Sequence, residues 1–174
     1  MEQYGLTWPL ASIDFEASSL VRGGSYPIEV GLAIWRSPRA TIVTWSSLIH
    51  PDPDWVKNGI WLDEAQKIHG IAPCDLEEAP SATWVAHELN KRMAGCSLAM
   101  CDGGEWDEHW YLTLFTAASV RPQFRLCSLR EGLEKAGPDL LNKFADISSK
   151  KIVPHRAGPD AEIHLASLFE ALDR

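Results

Sequence analysis

The sequence predicts a single α/β domain over residues 1–174. Its core is a mixed five-stranded sheet, three antiparallel strands and then parallel ones, flanked by helices. Three observations lead there. Within the first 50 residues, three apolar runs follow one another with only short turns between them, which describes an antiparallel meander. From residue 81 onward, segments of helical period alternate with short apolar runs, the pattern of a sheet extended through helical connections. At 174 residues the chain suits one domain with a sizeable core, and it carries no internal repeat or low-complexity stretch.

Taken in order, residues 11–16 are the first strand. Ile13 and Phe15 point to one face and Asp14 and Glu16 to the other, because strand side chains alternate. Ala17 to Leu20 leave the strand, and Arg22-Gly23-Gly24-Ser25 reads as a turn. Pro27 opens a second strand over 28–35, a hairpin around Ser37-Pro38 follows, and 41–49 is the third strand. Pro51 and Pro53 end the sheet segment, and the stretch to Pro80 is loop-rich with one short helix at 62–69. Ser81 caps a helix with Trp84, Val85, Leu89 and Met93 on one stripe. A short buried strand spans 96–101, and a helix over 107–118 gathers Trp110, Tyr111, Leu114, Phe115 and Ala118 on one side. The fifth strand covers 124–129, and 133–144 is helical but interrupted at Gly137-Pro138. Pro159 suits the first position of a last helix to 172, whose apolar stripe is Ile163, Ala166, Phe169 and Leu172.

Composition narrows the function classes. With 45% hydrophobic and 23% charged residues, the chain is an ordinary globular protein rather than a disordered one. No run approaches the roughly 18 apolar residues of a membrane span. The N-terminus has no basic region followed by an apolar one, which predicts no secretory leader. Cys74, Cys96, Cys101 and Cys127 form no CxxC pair and suit reduced thiols, so a cytoplasmic location without membrane contact is expected. A net charge of −8 argues against broad electrostatic binding to duplex nucleic acid. It is compatible with a small anionic substrate end held through bound cations.

Chemistry-bearing residues fall at three places. Asp14 and Glu16 share a strand face, where like charges repel and gain nothing structurally. A hard divalent cation removes that penalty. Asp107 stands at the start of a helix after the Gly103-Gly104 turn, and Asp160 in the first turn of the last helix. Either alone reads as a helix cap. His155 precedes Asp160 by five residues on a loop, where a lone histidine is usually a surface residue. The ordered set says more than its members: DxE on the first strand, a mid-chain Asp, then HxxxxD entering the last helix.

That set resembles the DEDDh family of 3′-to-5′ exonucleases, the DnaQ-like group with a ribonuclease H-like fold. The first motif is Ile13-Asp14-Phe15-Glu16-Ala17-Ser18-Ser19-Leu20, and the third is His155-Arg156-Ala157-Gly158-Pro159-Asp160-Ala161. The segment Ala65-Gln66-Lys67-Ile68-His69-Gly70-Ile71 is similar to the family's region after the third strand. The second motif falls in Met100-Cys101-Asp102-Gly103-Gly104-Glu105-Trp106-Asp107. The resemblance spans nearly the whole chain in the right order.

It implies a two-metal phosphodiesterase, with Asp14, Glu16, Asp107 and Asp160 holding two Mg²⁺ or Mn²⁺ ions and His155 as general base. The implied substrate is the 3′ end of single-stranded DNA or RNA, with nucleoside 5′-monophosphates released. Ala17, Ser18 and Leu20 would line the place of the terminal nucleotide, and Trp61 is the tryptophan expected near it. The other tryptophans read as core packing. The resemblance allows either a homodimer or association with a larger nucleic-acid-processing complex.

The sequence departs from the family pattern in three places. Ser18-Ser19 replaces Thr-Gly after the first motif, Asp102-Gly103 replaces His-Asn before the second, and Trp106 stands for Phe. Asp102 is therefore a rival to Asp107 for the metal, and Asp107 is preferred because it opens an amphipathic helix. Glu105 reads as a solvated loop acid. The competing class is a nucleic-acid-binding module that kept the fold with weak or no catalysis.

Overall fold

A computed structural model describes residues 5–173, with side chains through Leu172. The N-terminal residues whose composition predicts no leader lie largely outside that range. β1 (Leu10–Ala17) pairs antiparallel with β2 (Pro27–Trp35), which pairs antiparallel with β3 (Ile42–Leu48). β4 (Leu98–Cys101) joins β1 in parallel and β5 (Arg125–Ser128) joins β4 in parallel, giving the order β3-β2-β1-β4-β5. This is the mixed sheet the sequence predicts. β2 is buried along its whole length, as its near-continuous apolar run requires, while β3 at the edge is only half-buried.

Two short helices, α1 (Pro53–Asn58) and α2 (Asp63–His69), follow the meander. The alternation on β1 then divides the molecule into two layers. Ala11, Ile13, Phe15 and Ala17 pack with Val30, Leu32 and Ile34 under α3 (Ala82–Arg92) and α4 (Glu105–Ala117). The other face lies beyond α5 (Leu129–Leu133), beneath α6 (Pro138–Ser148) and α7 (Ala157–Asp173), with Leu140, Phe144, Leu165 and Leu168 against Ala33, Trp35 and Met100. Each of the fully buried leucines contributes about 1.5–3 kcal/mol. Asp14 and Glu16 therefore open towards α7. No described helix is long and apolar enough to cross a membrane.

Several elements differ from the expectation. The apolar side chains buried on α7 are Ala157, Ala161, Leu165, Leu168 and Ala171, joined by the polar Asp160, His164 and Ser167, whereas Phe169 is 42% exposed. Steps of three turn only about 300°, so the expected stripe of Ile163, Ala166, Phe169 and Leu172 spirals off the core side. Trp84 is likewise 47% exposed, because α3 buries Ala82, Val85, Ala86 and Leu89, one residue out of phase with it. α1 was not expected: Asp52 Oδ1 accepts from the Asp54 N–H at 2.9 Å and Pro53 takes the first helical position, a helix start rather than only a strand stop. β4 begins at Leu98 because the Cys96 N–H closes on the Met93 carbonyl at the end of α3. α4 starts two residues early, and the 133–144 patch divides at Gly137 into a 3-10 turn, Glu134–Ala136, that continues α5 (itself capped by Ser128), and α6. The four cysteines are free thiols.

One contact sets how near α7 comes to the sheet. Gly31 pairs with Asp14 across β1 and β2, and a Cβ at Gly31 would lie 1.9 Å from the Ala157 carbonyl oxygen. Only a residue without a side chain lets the start of α7 descend beside Asp14. Gly31→Ala is expected to cost about 3 kcal/mol through overpacking, read as a lowered urea midpoint. An unchanged midpoint would contradict this close approach.

Candidate active site

Four chain segments bring five carboxylates together where β1 and β4 end. Oxygens of Asp14, Glu16 and Asp160 lie within 4.8 Å of one another, and so do oxygens of Asp14, Asp102 and Asp107. Asp14 belongs to both groups. Asp160 sits in the first turn of α7, where its Oδ2 accepts from the Arg156 N–H at 3.1 Å. Its Oδ1 is buried and has no hydrogen-bond partner among the described residues. Asp107, in the first turn of α4, is almost wholly buried and its Oδ2 accepts from the Gly103 N–H at 2.9 Å. Gly103 permits that approach, since a Cβ there would stand 2.7 Å from the same oxygen. Asp102 follows β4 directly, and its Oδ2 lies 3.2 Å from Nε2 of His164.

The electrostatics are those of a crowded acid site. Burial, and then the charges of Asp107, Glu16, Asp102 and Asp160, push the Asp14 carboxyl up to about 10. Burial and the Glu29 carboxylate push Glu16 up to about 8, and burial raises Asp107 to about 6. Asp160 is raised by burial as well. Asp102 goes the other way, held below the usual carboxylate range by its hydrogen bond with His164. Carboxylates arranged like this gain nothing from one another. Their oxygens, together with the orphaned Asp160 Oδ1, fit a hard divalent cation such as Mg²⁺ or Mn²⁺.

A second set of contacts fixes the approach to these acids. Glu29 on β2 is buried and takes two bonds from the Arg156 guanidinium, at 2.9 and 2.7 Å, and a third from the Ala157 N–H at 3.1 Å. This clamp holds the chain between His155 and Asp160 against the sheet. His155, at a φ of +54°, is exposed and lines a cleft of about 300 Å³ with Asp14, Glu16, Asp102, Asp160 and His164. Histidine tolerates such a left-handed backbone better than most residues.

The remaining expected residues are dispersed. Ala17 and Ser18 are buried where β1 ends. The Ser18 Oγ accepts from the Tyr26 N–H and its carbonyl from the Leu62 N–H, so its polar atoms serve the chain itself. Leu20 is 63% exposed, which excludes a core role. Trp61 is not brought to the acid cleft. It lines a separate hollow with Tyr26, His50 and Leu76, and its Nε1–H donates to Gln66 Oε1. Glu105 opens α4 and pairs with Arg22 in solvent. Sequence reasoning missed Glu29, Arg156 and His164. A lone charge inside the apolar run 28–35 was the signal for Glu29, and the four-residue step from Asp160 was the signal for His164.

No family model matches the chain, and no curated protein does. Solved structures do match. A 3′-exonuclease recognising the 3′ end of a histone mRNA stem-loop superposes with a TM-score of 0.68 at 16% identity, over 94% of this chain and 63% of its own. Cell-death related nuclease 4 gives 0.66 at 14%, over 95% and 64%. E. coli exonuclease I, with zinc ion and single-stranded DNA, gives 0.63 at 12%, over 94% and 41%. These likenesses establish the ribonuclease H-like fold of 3′-exonucleases. The chain spans less than two thirds of each of these structures.

The acid cluster has a consequence for stability without metal. Between pH 4 and 10 the folded protein retains on Asp14 a proton that the unfolded chain releases, so stability falls as pH rises. Asp14 alone supplies about 1.4 kcal/mol per pH unit. The melting temperature in EDTA is expected to drop from pH 5.5 to 8, and Mn²⁺ to restore more of it at pH 8 than at pH 5.5. A flat profile would contradict the crowding of these acids.

Proposed function

We propose that this chain is a metal-dependent 3′-to-5′ exonuclease acting on single-stranded nucleic acid. What carries this reading is the pair of carboxylate groups that share Asp14, set in a fold common to 3′-exonucleases. Asp14, Glu16 and Asp160 would hold one Mg²⁺ or Mn²⁺, and Asp14 with Asp107 the other. Bound there, the two ions would supply Lewis-acid stabilisation to the attacking and leaving oxygens of the phosphodiester.

The chain's own residues do the rest. His155 takes the proton of the attacking water at an imidazole nitrogen, from the loop that lines the cleft. The Glu29–Arg156 clamp fixes that loop relative to Asp160, so base and ligands keep one spacing. Leu20 offers apolar surface to a terminal base, and the buried Ala17 and Ser18 shape the wall beneath it. Trp61 has no part in this reading, because it faces the other hollow. The intact acids and His155 favour catalysis over a binding module that has lost it. A cytoplasmic setting agrees with the free thiols.

Incubation with 5′-labelled single-stranded DNA and RNA is the test. Mononucleotides should leave the 3′ end in Mg²⁺ or Mn²⁺, a 3′-phosphate should hinder release, and EDTA should abolish it. His155→Ala should slow turnover about 10²–10⁴-fold while Mn²⁺ binding stays close to wild type. Binding of both strands without cleavage by the wild type would favour the inactive module instead. Full activity in EDTA would remove the metal from the mechanism.

A further inference from the structure

We propose that His164 is a positioning residue that holds Asp102 as a fifth carboxylate of the metal centre, a step that rests on the metal-dependent reading above. His164 lies one helical turn beyond Asp160 and is 6% exposed. Its Nε2 stands 3.2 Å from Asp102 Oδ2, and its Nδ1 stands 2.9 Å from Ser12 Oγ. Ser12 is wholly buried on β1, two residues before Asp14, and pairs with Met100 on β4. The imidazole therefore bridges α7, β1 and the end of β4 beneath the cleft.

The hydrogen bonds fix the roles of the two ring nitrogens. With Nε2–H donating to the carboxylate, Nδ1 accepts from the Ser12 hydroxyl, so the ring is held from behind and aimed at Asp102. Packing gives no reason for this pair. The surrounding face is filled by Leu, Ala and Trp side chains, and a buried polar group left unpaired costs about 1–3 kcal/mol. Nor does Asp102 need a partner for its own sake, since its side chain is 56% exposed. What the chain Ser12–His164–Asp102 achieves is orientation: an otherwise mobile carboxylate is kept within 4.8 Å of the oxygens of Asp14 and Asp107. Asp160, which lines the same cleft as Asp14, Asp102 and His164, carries a buried Oδ1 without a hydrogen-bond partner among the described residues, a polar atom that a cation there would satisfy.

The test reads metal binding rather than turnover. Mn²⁺ affinity is measured by calorimetry on metal-free protein without substrate, with melting temperatures in EDTA as the control for folding. His164→Phe, which keeps ring volume, and Asp102→Asn are each expected to weaken Mn²⁺ binding about tenfold, the scale found for residues that orient metal ligands. The double variant should bind no more weakly than either single one, and His164→Gln, whose amide can still donate, should recover much of the loss. Wild-type affinity in Asp102→Asn, or an additive loss in the double variant, would overturn the proposal. Asp102→Asn changes a half-exposed side chain and decides alone if His164→Phe does not fold. A wild type that binds no Mn²⁺ would overturn both this proposal and the metal centre, whereas a binding wild type with unaffected variants overturns this proposal only.

Discussion

The repulsion between the crowded carboxylates around Asp14 is the constraint to which the rest of the structure answers. Asp14 gathers the charges of Glu16, Asp102, Asp107 and Asp160 in a place already poor in water. Two devices make this tolerable in the folded chain. Asp107 and Asp160 both enter on the first turns of helices, where free N–H groups and the positive end of the helix dipole favour negative charge. Glu29, a sixth acid nearby, is neutralised by a two-pronged Arg156 contact. What these devices leave uncompensated is the space between the carboxylates, which a divalent cation could fill.

The clustered acids and His155 stand on different kinds of structure. Asp14 and Glu16 stand on the central strand, and Asp107 and Asp160 on helices packed to opposite faces of the sheet. Their spacing is thus set by the core itself, through contacts such as Gly31 against Ala157. His155 stands on a loop, with a backbone conformation that costs something to hold. Under the proposed function, an acid cage set by the core beside a loop histidine fixed by the Glu29–Arg156 clamp would hold an entering substrate end in one geometry.

Much of this was legible in the sequence, for reasons that can be named. The alternation of Ile13 and Phe15 with Asp14 and Glu16 gives the two faces of β1 directly, because a strand has a period of two. The antiparallel meander followed from run lengths and short turns, whereas the pairing of β4 beside β1 came only with the structure. The phase of α7 was not legible, since Ile163, Phe169 and Leu172 are apolar yet the helix buries Ala161, His164 and Leu165 instead. A face holding a histidine and alanines carries little hydrophobic signal; contact with β1 and β2 selects it. Trp61 failed as a guide for a related reason. Its place in a loop-rich stretch suggested exposure to substrate, but Tyr26 and Leu76 gather it into a small core of their own.

Asp102 is where sequence and structure are most usefully compared. Read by spacing alone, it competes with Asp107, as though only one carboxylate were needed after β4. In the fold the oxygens of both converge with that of Asp14. They are held by different means. Asp107 is fixed by burial and a backbone N–H, which any chain with a tight Gly-Gly turn can provide. Asp102 is held by the imidazole of His164, from a helix far along the chain, and that imidazole is itself held by Ser12, 152 positions before it. No local pattern can announce such a contact. It becomes visible only when β1, β4 and α7 are brought to one point, and that convergence is also what makes the acid cluster a site.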